Sequence, residues 1–272
     1  MTNKPRPAIS WKGPADLPDK KEPREKLTAG IPLVQVIKRK LASVPELVML
    51  TDSRSLVAER FRRLRTTLEQ QGDDAPQAMV ITSATPNEGK SFVSMNLSMA
   101  FAAEGRGEVL LIDTDLRRPS IHNWLTPDPQ LGLSDILEGR TELDHALLTL
   151  ENSPLRVLPA GLLPREPTEL LSSDKMRELM TVLRGRFQRI IVDTPPIVPF
   201  SDAEIVGSLC DGFVLVARSG QTERAAYEQA QSMMSASRVL GVVLNDKPSA
   251  WADWNHRSSK YYYAYYEEER KK

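Results

Sequence analysis

The residues best suited to chemistry lie in one short segment, residues 83–91, which reads Ser-Ala-Thr-Pro-Asn-Glu-Gly-Lys-Ser. The segment matches the phosphate-loop pattern G-x-x-x-x-G-K-[ST], except that Ala84 occupies the position of the first glycine. An apolar run precedes it and a helical pattern follows it, so the loop would turn backbone N–H groups and a positive helix end toward a polyphosphate. Lys90 would contribute a charge to the terminal phosphates, and Ser91 a hydroxyl to Mg²⁺. The alternative is an ordinary strand-to-helix turn that happens to contain Gly-Lys-Ser.

Three aspartates follow apolar runs that have the character of buried strands. Asp113 ends the run 109–112, Asp115 lies two residues later, and Asp193 ends the run 190–192. In an open parallel sheet, ligands bind beyond the carboxyl ends of the strands, so these acids should meet the phosphate loop at one edge. Clustered carboxylates repel one another unless a cation or a proton lies among them, and Mg²⁺ bound to a nucleotide would supply that charge. Each aspartate taken singly could instead be a helix cap or a turn residue.

The composition excludes several other classes of protein. The 272 residues include 36 basic and 36 acidic side chains, and this balance creates no bulk field that would attract nucleic acid. Cys210 is the single cysteine, so an internal disulfide is excluded and a reducing compartment is expected. No apolar run approaches the ~18 residues of a membrane-spanning helix, and the N-terminus has no apolar signal core. We therefore expect a soluble, cytoplasmic protein that needs a partner for any role at a membrane.

Near-continuous apolar runs alternate with helical patterns, which is typical of an α/β fold with a mostly parallel sheet and helices on both faces. The predicted strands are residues 77–83, 108–113, 155–158, 189–193, 212–217 and 239–244. The predicted helices are residues 53–70, 90–104, 173–184 and 222–235, one that begins at 202, and short helices between 134 and 148.

Three regions of the chain differ in composition. Residues 1–50 are predicted to be a largely disordered leader and linker, in which the apolar patch 47–50 is an extended segment. Residues 51–246 are predicted to fold, beginning with a helix that Asp52 or Ser53 could cap. Residues 247–272 are expected to form a flexible tail.

Several segments together resemble the bacterial tyrosine kinases, which are cytoplasmic autokinases of capsule and exopolysaccharide systems. Residues 83–91 resemble the Walker A loop of that family, although the family usually has glycine where this chain has Asn87. Asparagine tolerates positive φ better than most residues, so the loop should survive this change. Residues 110–119 resemble the family's Walker A′ motif, and residues 190–196 its Walker B motif. Shorter matches lie at residues 131–135, 158–161, 167–171 and 201–203.

The resemblance covers roughly residues 51–266, and it implies a P-loop NTPase fold with this deviant Walker A, A′ and B arrangement. It also implies that ATP and Mg²⁺ bind at the strand ends. The expected nucleotide contacts are Thr85, Pro86, Asn87, Glu88, Gly89, Lys90, Ser91, Phe92 and, for the adenine, Asn245. The expected metal site comprises Ser91, Asp113 and Asp193, the last of which would act through water. Catalysis would use Lys90 and, as the base that takes the phenol proton, either Asp113 or Asp115.

Residues 59–65 resemble an oligomerisation motif of the family, E-x-x-R-x-x-R, at Glu59, Arg62 and Arg65. A spacing of three places these charges along one face of a helix, where they could pair within the helix. The alternative to a binding role is that these charges simply form a solvent-exposed face of the helix. The family resemblance makes a contact between subunits of a ring the preferred interpretation, and arginine suits two-point pairing across an interface.

The last residues carry an unusual cluster of phenols. Five of the six tyrosines are Tyr261, Tyr262, Tyr263, Tyr265 and Tyr266. This clustering follows neither helix nor strand spacing, and two alternatives are an aromatic anchor for a membrane or partner surface and a β-prone edge. Beside a phosphate site, the cluster favours phosphate acceptors of a kinase that modifies itself. The sequence leaves open whether a tail reaches its own site or a neighbour's; the resemblance implies the neighbour's.

Two other functions compete with the autokinase. One is a switch-type ATPase similar to MinD and ParA, but that class has a signature lysine where this chain has Thr85. The other is a non-catalytic nucleotide-binding scaffold, which the retained lysine, serine and aspartates disfavour. The autokinase interpretation implies regulation of polysaccharide polymerisation and export, and a membrane adaptor of the chain-length-determinant (polysaccharide copolymerase) type. That adaptor would recruit the protein to the inner face of the plasma membrane, and a cognate tyrosine phosphatase is a further expected partner.

Overall fold

A computed structural model describes residues 35–37, 44–125, 131–151 and 153–246, so the tyrosine cluster lies outside the described residues. The described strands are β1 (Gln35–Ile37), β2 (Ala78–Ser83), β3 (Val109–Asp113), β4 (Leu148–Leu150), β5 (Leu155–Leu158), β6 (Arg189–Asp193), β7 (Gly212–Arg218) and β8 (Val239–Asn245). The described α-helices are α1 (Val48–Thr51), α2 (Leu56–Glu69), α3 (Lys90–Ala102), α4 (His122–Leu125), α5 (Leu133–Leu137), α6 (Leu143–Ala146), α7 (Pro167–Ser172), α8 (Asp174–Arg186), α9 (Asp202–Gly207) and α10 (Arg224–Met233). None of the helices in these ranges has the length and apolar character needed to span a bilayer.

The eight described strands form one sheet in the order β1-β4-β5-β3-β6-β2-β7-β8, in which the β4–β5 pair is antiparallel and the other pairs are parallel. Central strands are buried on both faces: Met79 and Ile81 of β2 pack in a cluster with α3, and Val80 between them is also fully buried. Burial on both faces explains why these strands are continuous apolar runs rather than alternating ones. The prediction of an α/β fold with a mostly parallel, helix-covered sheet is confirmed.

The sheet order brings the predicted site together. β3 and β6 are parallel neighbours, and their register sets Asp113 directly opposite Asp193. β2, which leads into the phosphate loop, pairs with β6 on its other side. The carboxyl ends of these three adjacent strands therefore share one edge, as expected for the ligand site of an open parallel sheet.

The prediction of an extended segment at residues 47–50 is wrong, because the chain forms helix α1 there with Met49 buried in the core. Asn96 of α3 holds this segment in place. Its Oδ1 accepts the N–H of Met49 at 3.2 Å, and its Nδ2 donates to the carbonyl of Glu46 at 2.9 Å. Val44 is also buried in the same cluster. Strand β1 (Gln35–Ile37) lies earlier still and pairs with β4, so folded structure extends into residues 1–50, which were predicted to be largely disordered.

Two smaller differences also arise from local contacts. Helix α2 begins after Ser55, whose Oγ accepts the N–H of Ala58 at 3.2 Å, so neither Asp52 nor Ser53 is its cap. The region 134–148 contains α5 and α6 as predicted, but it runs directly into β4, which the sequence analysis missed. That strand has only three residues and begins two positions after α6 ends, so its apolar side chains continue the helical segment, and only its pairing with β1 and β5 marks it as a strand.

Candidate active site

The phosphate loop between β2 and α3 contains two residues in the left-handed region. Asn87 has φ of +65° and Gly89 has φ of +96°. Asparagine enters this region more easily than most side chains, which explains how the loop accepts Asn87. At Gly89, an added Cβ would also clash with the Nδ2 of Asn245. Glycine is therefore required by both backbone and packing at the point where α3 begins.

Lys90, the first residue of α3, lies against Asp115, one of the two aspartates predicted as the base. Its Nζ is 3.3 Å from Oδ2 of Asp115, and the two side chains are 14 % and 7 % exposed. The N–H of Arg118 donates to Oδ1 of Asp115 at 2.9 Å, which orients that carboxylate. The charge that would bind phosphate and a carboxylate that could accept a proton are thus in direct contact at the sheet edge.

Asp193 is bound from one side by hydroxyls of α3. Ser91 Oγ donates to Oδ2 at 2.6 Å, and Ser94 Oγ donates to Oδ1 at 2.8 Å. Burial raises the pKa of Asp193 to about 6, although the Lys90 amine and the two hydroxyls oppose the shift. Because Ser91 gives its proton to Asp193, its lone pairs stay available to a cation. The sequence analysis missed Ser94, although it lies one helical turn after Ser91 on the same face.

Asp113 is as fully buried as Asp193. Its carboxylate is fully buried and accepts the N–H groups of Asp115, Ser120 and Ile121 at 3.1–3.3 Å. Burial, followed by the nearby charges of Asp193 and Asp115, raises the pKa of Asp113 well above its usual range. These bonds to the backbone fix the loop that follows β3, so Asp113 helps to position Asp115.

The carboxylate of Glu88 is turned into the protein. It is fully buried, and it accepts the N–H of Thr85 at 2.9 Å and the hydroxyl of Thr222, a residue of the loop after β7. Asn245, the expected adenine contact at the end of β8, donates from Nδ2 to the carbonyl of Glu88 at 2.9 Å. No sequence signal marked Thr222, because it joins the site only through the pairing of β7 with β2.

The remaining predicted nucleotide contacts lie in two different environments. Phe92 packs edge-on against Phe61 of α2, with ring centroids 5.7 Å apart, so its side chain belongs to the interface of two helices. Pro86 and Asn87 are exposed at the tip of the loop.

A polar cluster fixes the segment that follows Asp115. Arg117 forms a two-point ion pair with the fully buried Asp202 at 2.6 and 3.2 Å. The hydroxyl of Thr168 accepts from Arg117 and donates to Asp202, each at 2.7 Å. The guanidinium also lies 4.3 Å from the ring centroid of Phe200. The sequence analysis identified these segments as separate motifs but missed their contact, because three distant parts of the chain form it.

The three charges expected at a subunit contact lie on α2 in different surroundings. Arg62 donates to Glu59 at 3.0 Å and also to the carbonyl of Ser53, and the Arg62 and Glu59 side chains remain partly exposed. Arg65 is 15 % exposed and is held within the chain: it donates to the carbonyl of Ala100 at 3.0 Å and pairs with Glu104 at 3.2 Å. Arg65 therefore ties α2 to α3, whereas Glu59 and Arg62 remain accessible to a partner.

In this structure, a phosphate loop joins a strand to a helix that begins with lysine, and the two neighbouring strands end in aspartate. This arrangement defines a nucleotide-binding protein of the P-loop class. No family model matches the chain. The chain is 37% identical over 203 residues to "Tyrosine-protein kinase YwqD" of Bacillus subtilis, covering 74% of this chain and 85% of that protein. It is 35% identical to "Tyrosine-protein kinase CpsD" of Streptococcus agalactiae, covering 69% and 82%. The chain belongs to the bacterial tyrosine kinase family, as the motifs predicted.

Solved structures agree with this assignment. The kinase domain of Escherichia coli tyrosine kinase ETK matches with a TM-score of 0.69 and 33% identity, covering 74% of this chain and 79% of that one. The chimerical protein CapA2B2 matches with a TM-score of 0.71 and 28% identity, covering 82% and 98%. The cell division ATPase MinD of Pyrococcus furiosus shares the fold at a TM-score of 0.51 and 26% identity, covering 62% and 71%. The P-loop fold is confirmed, and the MinD-like alternative is not favoured.

Proposed function

We propose that this tyrosine kinase is an ATP-dependent autokinase whose acceptors are the tail tyrosines, within a system that controls capsule or exopolysaccharide polymerisation and export. The acceptors would be Tyr261, Tyr262, Tyr263, Tyr265 and Tyr266. The observation that carries the proposal is the contact between Lys90 and Asp115 at the edge of the sheet, 3.3 Å apart. A phosphate-binding cation beside a carboxylate is what transfer of a phosphoryl group to a phenol requires.

The phosphate loop and Lys90 would bind and orient the phosphates of ATP, because the loop presents backbone donors and the lysine a charge. Among the described residues, no group of three His, Cys, Asp or Glu side chains is arranged to hold a metal ion. We therefore assign Mg²⁺ to Ser91 together with the nucleotide phosphates, with Asp193 supporting the hydroxyl. When bound, Mg²⁺ would neutralise charge on the transferred group. The donor set fits, since Ser91 keeps its lone pairs free while donating to Asp193.

Asp115 is the preferred base, and Asp113 is assigned a supporting role. Both were candidates from the sequence, but Asp113 is fully buried and occupied by three backbone donors. Asp115 lies nearer the surface than Asp113 and contacts Lys90. A phenol oxygen that approaches the terminal phosphate would therefore reach Asp115 before Asp113. Asp115 would then accept the phenol proton as the bond from the phenol oxygen to the γ-phosphorus forms and the bond from that phosphorus to the β–γ bridging oxygen breaks, with ADP as the leaving group.

The proposal has three further parts. The tail is phosphorylated in trans by a neighbouring subunit of a ring. A membrane adaptor of the chain-length-determinant type activates the kinase, and a cognate tyrosine phosphatase removes the phosphates. Glu59 and Arg62 are the accessible members of the motif that could meet a neighbouring subunit. An adaptor would bring the kinase to the inner face of the plasma membrane.

The test mixes two chains, each of which lacks one part of the reaction. A chain truncated before Tyr261 keeps the active site but has no acceptors, and a full-length Lys90→Met chain keeps the acceptors but has no activity. Incubated together with Mg²⁺-ATP and a fragment of the adaptor, the Lys90→Met chain should gain phosphotyrosine, which mass spectrometry would map to the tail. Lys90-dependent ATP hydrolysis without phosphotyrosine in any mixture, wild type included, would instead support the ATPase switch.

A further inference from the structure

Glu88 has an environment that its position in the phosphate loop does not explain. The carboxylate is fully buried, and the two groups that donate to it, the N–H of Thr85 and the hydroxyl of Thr222, are both neutral. Burying a carboxylate with neutral donors is unfavourable unless the hydrogen bonds are well formed. A lysine, arginine or apolar residue would not keep this pair of bonds, so the loop depends on this acid and this hydroxyl together.

Thr222 is itself held in place by two hydrogen bonds to the backbone of Arg218. Its Oγ1 accepts the N–H of Arg218 at 2.7 Å, and its N–H donates to the Arg218 carbonyl at 2.9 Å. Arg218, the last residue of β7, also donates from Nη1 to the carbonyl of Asn87 at 2.7 Å. With Asn245 donating to the Glu88 carbonyl, Arg218, Thr222 and Asn245 form an outer clamp on the phosphate loop.

The clamp acts where the loop is least able to hold its own shape. The clamped residues Asn87 and Glu88 stand immediately before Gly89, and both Asn87 and Gly89 have left-handed backbone conformations. A non-glycine residue in that region is strained, and it persists only when surrounding contacts fix it. The direction of the loop's N–H groups therefore depends on contacts from outside the loop.

We propose that Thr222, acting through Glu88, is a positioning residue that holds the phosphate loop in its nucleotide-receiving shape and so sets the affinity for nucleotide. Thr222 need not touch the nucleotide; it acts by removing the cost of ordering the loop on binding. The inference rests on the proposed function only in requiring that the site binds adenine nucleotide. It is independent of which group accepts the phosphate.

The test compares Thr222→Val, which keeps the shape but removes the hydroxyl, with Thr222→Ser, which keeps the hydroxyl. Binding of ADP with Mg²⁺ is measured by calorimetry on the full chain. Thr222→Val loses both the bond from the hydroxyl to the charged Glu88 and the bond from the Arg218 N–H, so its ADP binding should weaken by roughly tenfold, and Thr222→Ser should restore most of the affinity. In a double variant with Glu88→Ala, Thr222→Val should add less loss than it does in the wild-type background, because the bond to Glu88 is already absent.

Steady-state kinetics separate positioning from general support of the fold. A positioning role raises the KM for ATP, whereas a merely structural role lowers the active fraction, and with it the apparent kcat, at unchanged KM. Each of three results would overturn the proposal: wild-type ADP affinity in Thr222→Val, equal weakening in Thr222→Ser and Thr222→Val, or fully additive losses with Glu88→Ala. Because ADP binding is measured directly, a chain that binds ADP as expected but makes no phosphotyrosine would contradict the proposed function alone.

Discussion

Two regions carry charged side chains for which the sequence predicted a binding partner. At the edge of the sheet where β2, β3 and β6 end, here called the catalytic edge, the partner is a nucleotide with Mg²⁺; on helix α2 it is a neighbouring subunit. The two regions differ in how their charges are paired within the chain. At the edge, Lys90 pairs with Asp115 and its charge also acts on Asp193, whereas Asp113 accepts only backbone N–H groups. Burial raises the pKa values of Asp113 and Asp193. On α2, Arg65 already has partners within its own chain. An excess of buried like charge indicates a missing ligand, whereas a charge motif whose members are paired internally does not by itself indicate a neighbour.

The largest expected effect concerns the proposed base. Asp115→Asn keeps the shape of the side chain but removes its capacity to take a proton, so the autokinase rate should fall by at least ~100-fold. ADP binding should change far less, because Asp115 is not assigned to the phosphates. A phosphotyrosine time course and calorimetry check the two quantities. Near wild-type activity in Asp115→Asn would move the role of the base to another group.

A second prediction uses the elevated pKa of Asp193. Its folded pKa of about 6 lies above that of an exposed aspartate, so the folded state binds this proton more tightly than the unfolded chain. This contribution to stability is present at low pH and is lost as the pH rises toward 6. Relative to wild type without nucleotide, Asp193→Asn should therefore gain roughly 2 kcal/mol of unfolding free energy between pH 4.5 and 7.5.

Urea unfolding at several pH values measures this gain. The matched control is Asp174→Asn, because Asp174 is 86% exposed and should show no comparable change with pH. If the Asp193→Asn and wild-type curves stayed parallel across this range, the edge would not carry the uncompensated charge that distinguishes it from α2.

The third prediction concerns the paired charges of helix α2. Arg65→Ala should destabilise the protein by about 1.5 kcal/mol, because it removes a charged hydrogen bond and leaves the Ala100 carbonyl and Glu104 without it. Arg62→Ala should cost less, about 0.5 kcal/mol, since its pair with Glu59 is partly exposed and its bond to the Ser53 carbonyl is exposed. Light scattering on the same variants tests the subunit contact. A smaller assembly in Arg62→Ala at unchanged stability would support a role for Arg62 in the ring, and equal unfolding free energies for the two variants would contradict the account of α2.

The last prediction concerns the tip of the phosphate loop. Asn87→Ala should cost about 1 kcal/mol, because alanine tolerates the left-handed region less well than asparagine. Asn87→Gly should be close to neutral, since relief of strain offsets the added freedom of the unfolded chain. Thermal unfolding of the two variants decides this, and a destabilised glycine variant would mean that the side chain of Asn87 has a further partner.

The sequence predicted those features of the site that depend on strand order and local motif. The parallel sheet, the phosphate loop and the convergence of Asp113 and Asp193 follow from apolar runs that end in acid, and the structure contains all of them. Contacts between distant segments were not predictable in the same way. The bond of Thr222 to Glu88 and the pair of Arg117 with Asp202 form only once β7 and α9 have packed beside the loop.

Helix α1 shows the other limit of reading apolar patches. A run of four apolar residues at 47–50 is compatible with a strand or a helix, and propensity does not decide between them. What decides is Asn96 on α3, whose amide bonds to the backbone on either side of Leu47. A side chain about fifty positions away thus determines a local conformation.

The most direct test of the central claim is a phosphotyrosine assay on three full-length chains with Mg²⁺-ATP and adaptor fragment. Wild type is compared with Lys90→Met and with Lys175→Met, a lysine outside the site that donates to the Leu137 carbonyl at 3.1 Å. The account predicts strong signal in wild type and Lys175→Met and at least ~100-fold less in Lys90→Met, because Lys90 is the amine at the catalytic edge. Equal signal in the Lys90→Met chain would contradict it.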